Sequence, residues 1–567
     1  AADANVIFND VADSGSIDYD GISGAGDIIK TGAGGLKLFG DYRNFDGDYN
    51  FGAGTVYFNN LTQTTLPASA TTNVMTVASG ATVDLATPTT LVNVGTLTMA
   101  DGAFLNAAID GLGNDASRIN ARAADVGAVT VNIDGDMYVA GSYTLVHTDA
   151  GNLIFDDQDF STVLRSWHLT NENDQNLVLV VDELRRIASV GVTRNQRSVG
   201  DYLQTRATHP LYKYLYDETD LGRILLALDA NSGDVYASTA ASVIGYDRRG
   251  ADMIVDRAQA VFFADAPASG AIASDSSLSS YSAAKSGAAG VWAEIDGYYY
   301  RSDSDRNAAE GITRGYGLAL GVDKLSGDWL FGAAFRYGDG ELKVDDRYAR
   351  SDIASYSGAL YAGRRACVGA GVLHVLGGVN GGYHDFEARR DSIVGAEINR
   401  YQAGYSGKSM DVYLDAGYTF GDVSGFTFQP FGTVMWNGYW NDEIRETGAN
   451  PLYALEGKSE LNDYFSTVLG VRMTARVGTA LAIDAGAGWR HTYGDVEPVA
   501  SMKFRSDPLN DRFNILGTPL KANEGVLGAG MTLNLTECVS LRAAYDYTFG
   551  ADGSRNHEGR ANLGIKF

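Results

Sequence analysis

The stretch EGRANLGIKF, residues 558–567, decides the fold. In an extended strand Leu563, Ile565 and Phe567 share one face, and Asn562, Gly564 and Lys566 share the other. A two-residue period with one apolar face and one small or polar face suits a strand with lipid outside and water inside. The same pattern recurs upstream. Met410, Val412, Leu414, Ala416, Tyr418 and Phe420 alternate with Asp411, Tyr413, Asp415, Gly417 and Thr419, so two carboxylates point away from the apolar side. Leu481, Ile483, Ala485, Ala487 and Trp489 alternate with Asp484, Gly486, Gly488 and Arg490, and Leu541, Ala543, Tyr545, Tyr547 and Phe549 with Arg542, Asp546 and Thr548. A soluble sandwich also alternates, but it turns its apolar face inward and does not expose Tyr, Phe, Trp and Leu continuously on the other.

Twelve strands are predicted, over 290–301, 311–324, 327–340, 351–364, 368–386, 406–421, 425–440, 459–475, 479–494, 523–535, 538–549 and 558–567. Short connections such as 325–326, 422–424 and 476–478 alternate with long ones at 302–310, 387–405, 441–458 and 495–522, the asymmetry of an outer-membrane barrel. No run of about 18 apolar residues exists, so any crossing of a membrane must be made by strands. High Gly (69) and Tyr (32) with only nine Pro fit tight turns, a small-residue lumen and interfacial aromatic girdles. A net charge of -26 excludes nucleic acid as a partner. The two cysteines, Cys367 and Cys538, fall on different hairpins, so no disulfide is expected between them. The seven scattered histidines show no zinc spacing, and neither a metal nor a cofactor is expected.

Residues 1–190 are built differently. Closely spaced Gly24, Gly26, Gly32, Gly34, Gly35, Gly40, Gly47, Gly52 and Gly54 bracket short apolar runs such as Leu36 with Leu38 and Val56 with Phe58. Such units suit the rungs of a parallel β-helix, each coil burying its inner face on the next, with a β-sandwich as the alternative. Residues 191–289 form a helical connection. Apolar spacing at Val199, Leu203, Leu211, Leu215, Leu221, Leu225 and Leu228 predicts short helices, and a longer one is predicted over Asp234 to Phe263, carrying Arg248, Arg249, Asp252, Asp256 and Arg257. At 1.5 Å per residue a helix of about 20 to 30 residues can cross a barrel. The Ala/Ser/Gly-rich segment 264–289 is expected to link it to the first strand. The expected fold is therefore all-β: a 12-stranded antiparallel transmembrane β-barrel over 290–567 with a lumenal α-helix, preceded by a right-handed parallel β-helix.

LDANSGDVYAS at 228–238 resembles the signature that precedes the barrel in type Va autotransporters, the self-translocating proteins of type V secretion. VWAEIDGYYYRSDSD at 291–305, GYGLALGVDK at 315–324 and the terminal strand resemble successive barrel motifs of that family, and GAGGLKLFGDYRNFDGDY at 32–49 is similar to the β-strand repeat of its passengers. The resemblance implies a monomeric translocator, attended by periplasmic chaperones, inserted into Gram-negative outer-membrane lipid by the barrel assembly machinery, with its passenger on the cell surface. It implies that 128–184 is the autochaperone-like part that nucleates passenger folding. About 190 residues is short for such a passenger, and the start Ala1-Ala2-Asp3 carries no basic and apolar leader, so a removed signal peptide, or a larger surface portion missing or cleaved away, is expected.

No G-x-S-x-G elbow, H-E-x-x-H or Walker loop occurs, so no enzyme is expected. His147 and His168 read as isolated surface or rung histidines, and Asp134-Gly135-Asp136 and Asp156-Asp157-Gln158-Asp159 as solvated turns rather than calcium sites. The lumen is expected to be lined by Glu294, Asp296, Arg336, Asp411, Asp415, Arg472, Asp484, Arg490, Arg542 and Asp546, with Arg560 beside them, as a charged seat for the helix. Three rival functions remain: an adhesin that binds a host or neighbouring-cell ligand through the passenger, a self-cleaving enzyme using lumenal acids, and an open porin. The terminal strand yields the first prediction. Deleting Phe567, or replacing it by Ser, depletes the heat-modifiable outer-membrane form, as read by gel mobility of membrane fractions.

Overall fold

The computed structural model describes residues 4–9, 16–63, 72–135, 137–263, 289–422, 424–478, 480–536, 538–551 and 553–566. Phe567 and the linker 264–288 therefore lie outside the described residues. The chain divides into two units, one made of Ala1–Arg186 with Tyr212–Leu221, the other of Ile187–Leu211 with Gly222–Phe567.

The first unit is a stack of rungs. Ile28–Lys30, Tyr49–Phe51, Val74–Val77, Thr96–Met99 and Ala123–Asp125 pair in parallel along one sheet. Gly35–Asp41, Thr55–Thr62, Thr82–Leu85 and Phe104–Asp110 do so along a second, and Leu91–Asn93, Arg118–Ala121 and Gly141–Thr148 along a third. In-register parallel partners such as Val83 and Leu105 come from successive coils, which gives a parallel β-helix and removes the sandwich alternative. Leu36, Leu38, Val56, Phe58, Val83 and Leu105 are fully buried on the inner face. Side chains at equal rung positions also bond outside the core: Asn120 donates to Asn93 at 2.8 Å, and Asn132 to Asn106 at 2.9 Å.

The stretch 128–184 does not consist of rungs throughout. Gln158–Ser161, Ser166–Glu172 and Asn176–Val181 are antiparallel, and the last also runs antiparallel to Gly141–Thr148. The reversal is local chemistry: Asn173 (φ 59°) and Asp174 (φ 55°) hold two successive left-handed residues, the geometry of a tight hairpin turn. Phe160 stacks on Trp167 at 5.6 Å, and Leu177, Leu179 and Val181 close the core. Leu179→Ala costs about 2–5 kcal/mol at this fully buried site. Thermal unfolding of the passenger, followed by circular dichroism, drops accordingly while the barrel's heat modifiability is unchanged.

In the second unit twelve antiparallel strands close on themselves. In order they are Ala289–Ser302, Gly311–Ser326, Trp329–Val344, Ala349–Val368, Gly371–Val394, Glu397–Gly421, Phe426–Asn441, Leu461–Val477, Leu481–Tyr493, Asn523–Asn534, Val539–Gly550 and Arg555–Lys566. Closure is made by the first and last, with Val291 opposite Ile565 and Ala293 opposite Leu563. Leu318, Leu360, Leu414, Leu469, Trp489 and Leu563 are exposed on the outer face, as the alternation requires. Cys367 and Cys538 are exposed beside short turns.

Three expected long connections differ. Residues 387–405 are not a loop: the fifth and sixth strands continue through them to a tight turn at Gly395 (φ 63°). Beyond the lipid the outer face meets water, so Glu387 and Arg389 replace the apolar side chains while Phe386, Ala388 and Arg390 stay buried. The inverted polarity hid the strand. The connections after the seventh and ninth strands contain Ile444–Arg445, Leu455–Gly457, Val499–Phe504 and Phe513–Leu516, which form a four-stranded sheet. Helices Arg194–Leu203, Leu221–Ala230 and Asp234–Phe262 precede the barrel.

Candidate functional site: a lumen seated with its own helix

The helix Asp234–Phe262 has 29 residues, about 44 Å at 1.5 Å per residue, and most of them are buried. One stripe is apolar: Ala251, Ile254, Val255, Ala258 and Phe262 pack on Leu330, Tyr361, Leu376, Tyr413 and Met435 of the third to seventh strands. The opposite stripe is charged and faces a cavity of about 1250 Å3 lined by Asp252, Asp256, Arg472, Arg490 and Arg542, among others. The helix is thus amphipathic between one wall and water.

The expected lumen residues divide into those that hold the helix and those that hold the wall. Arg336 donates to the Tyr246 carbonyl at 2.9 Å and to Asp296 at 2.7 Å. Arg490 meets Asp252 at 3.3 Å, and Arg542 meets Asp256 at 3.7 Å. Arg560 reaches Asp256 at 2.7 Å, Asp546 at 2.6 Å and Glu294 at 3.7 Å, and Glu294 also accepts from Asn562 at 3.0 Å. Asp484 pairs with Arg542, and Asp415 binds Arg472 at 2.9 Å and His374 at 2.9 Å, both within the wall. Asp411 accepts from Asn437 at 2.6 Å. From the helix, Arg257 makes a two-point pair with Asp323 at 2.7 and 3.0 Å, Arg248 donates to Asn437 at 3.3 Å, and the Arg249 guanidinium lies 3.6 Å from the Tyr298 ring centre.

Both helix ends are held by arginines absent from that expectation. At the long-loop end Arg347 binds Asp234 at 3.1 Å and Asp229 at 3.2 Å, while Arg390 donates to the Ala230 carbonyl at 2.6 Å and to Glu446 at 2.7 Å. Tyr236 Oη donates to the same Glu446 at 2.8 Å. At the short-turn end Arg365 donates to the Phe262 carbonyl, and Arg476 to that of Phe263 at 2.6 Å. An acid at the N-terminus and cations at the C-terminus complement the helix dipole and satisfy its last carbonyls. Strand parity carried to the strand ends places Arg365, Arg476 and Asp323 inward, and that signal would have found them. Gly338 faces the Tyr246 ring so closely that an added Cβ would collide with it.

Outside the membrane band the helix Arg194–Leu203 is pinned to the connection after the ninth strand. Asn195 donates to the Leu516 carbonyl at 2.8 Å, and Tyr202 and Arg206 both donate to Asp507 at 2.5 Å. Burial pushes the Asp507 carboxyl up, but the hydrogen bonds from Tyr202 and Arg206 hold it below the usual carboxylate range. Among the described residues no cluster of His, Cys, Asp or Glu is placed to hold a metal. No described helix is long and apolar enough to cross a membrane, which leaves strands to do so.

A closed membrane barrel filled by a helix of its own chain defines a translocator-type outer-membrane protein. Residues 291–546 match the family model of the autotransporter beta-domain, which sets this barrel in a Gram-negative outer membrane. Two curated relatives are extracellular serine proteases of Serratia marcescens, one 25% identical over 379 residues, covering 65% of this chain and 33% of that protein. The chain thus spans about a third of the length of the curated relatives it matches. Their name sits against the expectation that the chain is no enzyme. Among solved structures, the translocator domain of the autotransporter NalP from Neisseria meningitidis is 18% identical, with 59% of this chain and 100% of that one covered and a TM-score of 0.43. The beta domain of the Bordetella autotransporter BrkA is 18% identical, with 49% and 100% covered and a TM-score of 0.37.

The seat predicts the conductance. Removing residues 1–264 raises single-channel conductance in planar bilayers above that of the intact protein, because the helix no longer fills the lumen. Equal conductance would place the helix outside the pore.

Proposed function

We propose that this chain secretes and displays its own N-terminal passenger at the cell surface, the barrel serving as exit and the lumenal helix as the plug left after transit. One observation carries the reading. The helix starts at the long-loop end, where Arg347 holds Asp234, and ends at the short-turn end, where Arg365 and Arg476 hold its last carbonyls. Short turns lie on the periplasmic side of such barrels, so the chain preceding Asp234 leaves on the outer side. The helix lodged along one wall of the lumen also argues against an open porin.

The activity of these 567 residues is display rather than catalysis. The protease name belongs to proteins of which this chain spans about a third, and it is not carried over. In the passenger, His147 is engaged by Asn176 at 2.8 Å and Asp149 at 3.4 Å, and His168 lies 4.0 Å from Asp182, contacts that suit rung packing.

An epitope inserted in the turn at Gly113 tests the reading. Intact cells bind the antibody, and external protease removes the signal without lysis. Signal only after lysis overturns surface display, and labelling of the passenger by a fluorophosphonate probe overturns the absence of serine chemistry.

A further inference from the structure

The outer wall at the closure seam carries a cleft that translocation leaves unused. In the cross-strand row Leu563, Ala293, Leu320 and Phe335 one side chain is only a methyl, and in the next row toward the short turns Ala333 follows Val322. The two alanines form the floor of a depression of about 540 Å3 in the lipid-facing surface. Lys324 stands on the same face two residues beyond Val322, about 7 Å nearer the short turns at the rise of a strand. It is exposed between Ala289 and Phe331, and no ion pair of it forms among the described residues. Further along that rim the Arg364 guanidinium lies 5.3 Å from the Trp329 ring centre.

An apolar cleft that runs toward a cationic, aromatic rim has the outline of an amphiphile with an anionic head. Its rim is at the short-turn end, the level of the inner leaflet of the outer membrane. We propose that the cleft binds one anionic phospholipid, an acyl chain lying over Ala293 and Ala333 and the phosphate on Lys324. The site rests on the barrel's membrane setting and is independent of what the passenger does. A lipid there covers the seam between first and last strands, where closure depends on a single strand pairing.

Native mass spectrometry of the full chain, loaded with palmitoyl-oleoyl phosphatidylglycerol in mild detergent, tests the proposal. The unsubstituted protein keeps one lipid through activation that strips the rest. Lys324→Gln lowers the retained fraction about tenfold, the effect of losing one charged contact. Ala333→Phe, which fills the cleft, lowers it as far, with heat-modifiable gel mobility confirming closure. If that variant does not close, Lys324→Gln decides alone. Equal retention in the unsubstituted protein and Lys324→Gln overturns the site, as does a lipid-free dimer that Ala333→Phe dissolves, which would make the cleft a contact between two copies.

Discussion

Every backbone donor and acceptor within the lipid must find its partner inside the protein, and for a chain of strands that demand is met only by closing the sheet. Here closure is the pairing of Ala289–Ser302 with Arg555–Lys566, twelve Cα partners from Gly290 with Lys566 to Arg301 with Arg555. Once it is made, the pleat fixes the rest. Alternate side chains must face lipid, and the remainder must share a lumen in which charge can be carried only in pairs.

The ion pairs of that lumen are better understood as register than as net stabilisation. Taking two charges from water costs several kcal/mol each, and a well-made pair often does little more than offset this. Removing one partner is another matter, because it leaves the other buried and uncompensated. The charged stripe of the helix spans Arg248 to Arg257, and four of its charges meet partners on four different strands: Glu524 for Arg248, Arg490 for Asp252, Arg560 for Asp256, Asp323 for Arg257. A slip of one helical turn, about 5.4 Å, would set Asp252 against Glu524 or Arg248 against Arg490, according to its direction. Arg249, the third arginine of the stripe, lies on the Tyr298 ring instead.

Much of this was legible in the chain. The two-residue period placed the barrel strands and named which side faces water, because lipid on one face and a lumen on the other write a strong alternation into sequence. The pattern faded where the environment changed. Past Phe386 the outer face meets water while Ala388 and Arg390 stay buried, so the exposed Glu387 and Arg389 looked like loop. The small sheet containing Val499–Phe504 was hidden because its strands are short and all but the first residue of that strand are buried. In the passenger, rung spacing disclosed the stack but not the antiparallel end at 158–181, whose pairing is set by a turn at Asn173 and Asp174. Strand parity was the ground for naming lumen acids and arginines, and it did not extend to Arg365 and Arg476, one residue past the predicted strand ends, or to Arg347 and Arg390 in stretches read as connections.

The orientation of the plug has a mechanical consequence. A pull on the preceding segment that outruns the anchors at Asn195 and Arg206 would act at Asp234, along the helix axis, while the opposite end is held by Arg365 and Arg476. Tension in that direction is resisted in shear: the pairs from Arg248 to Arg257 are strained together, and none can be peeled away before its neighbours. A strap fastened at one edge would unzip under the same force. A helix threaded through a rigid wall instead spreads a tug from outside around most of the barrel's circumference.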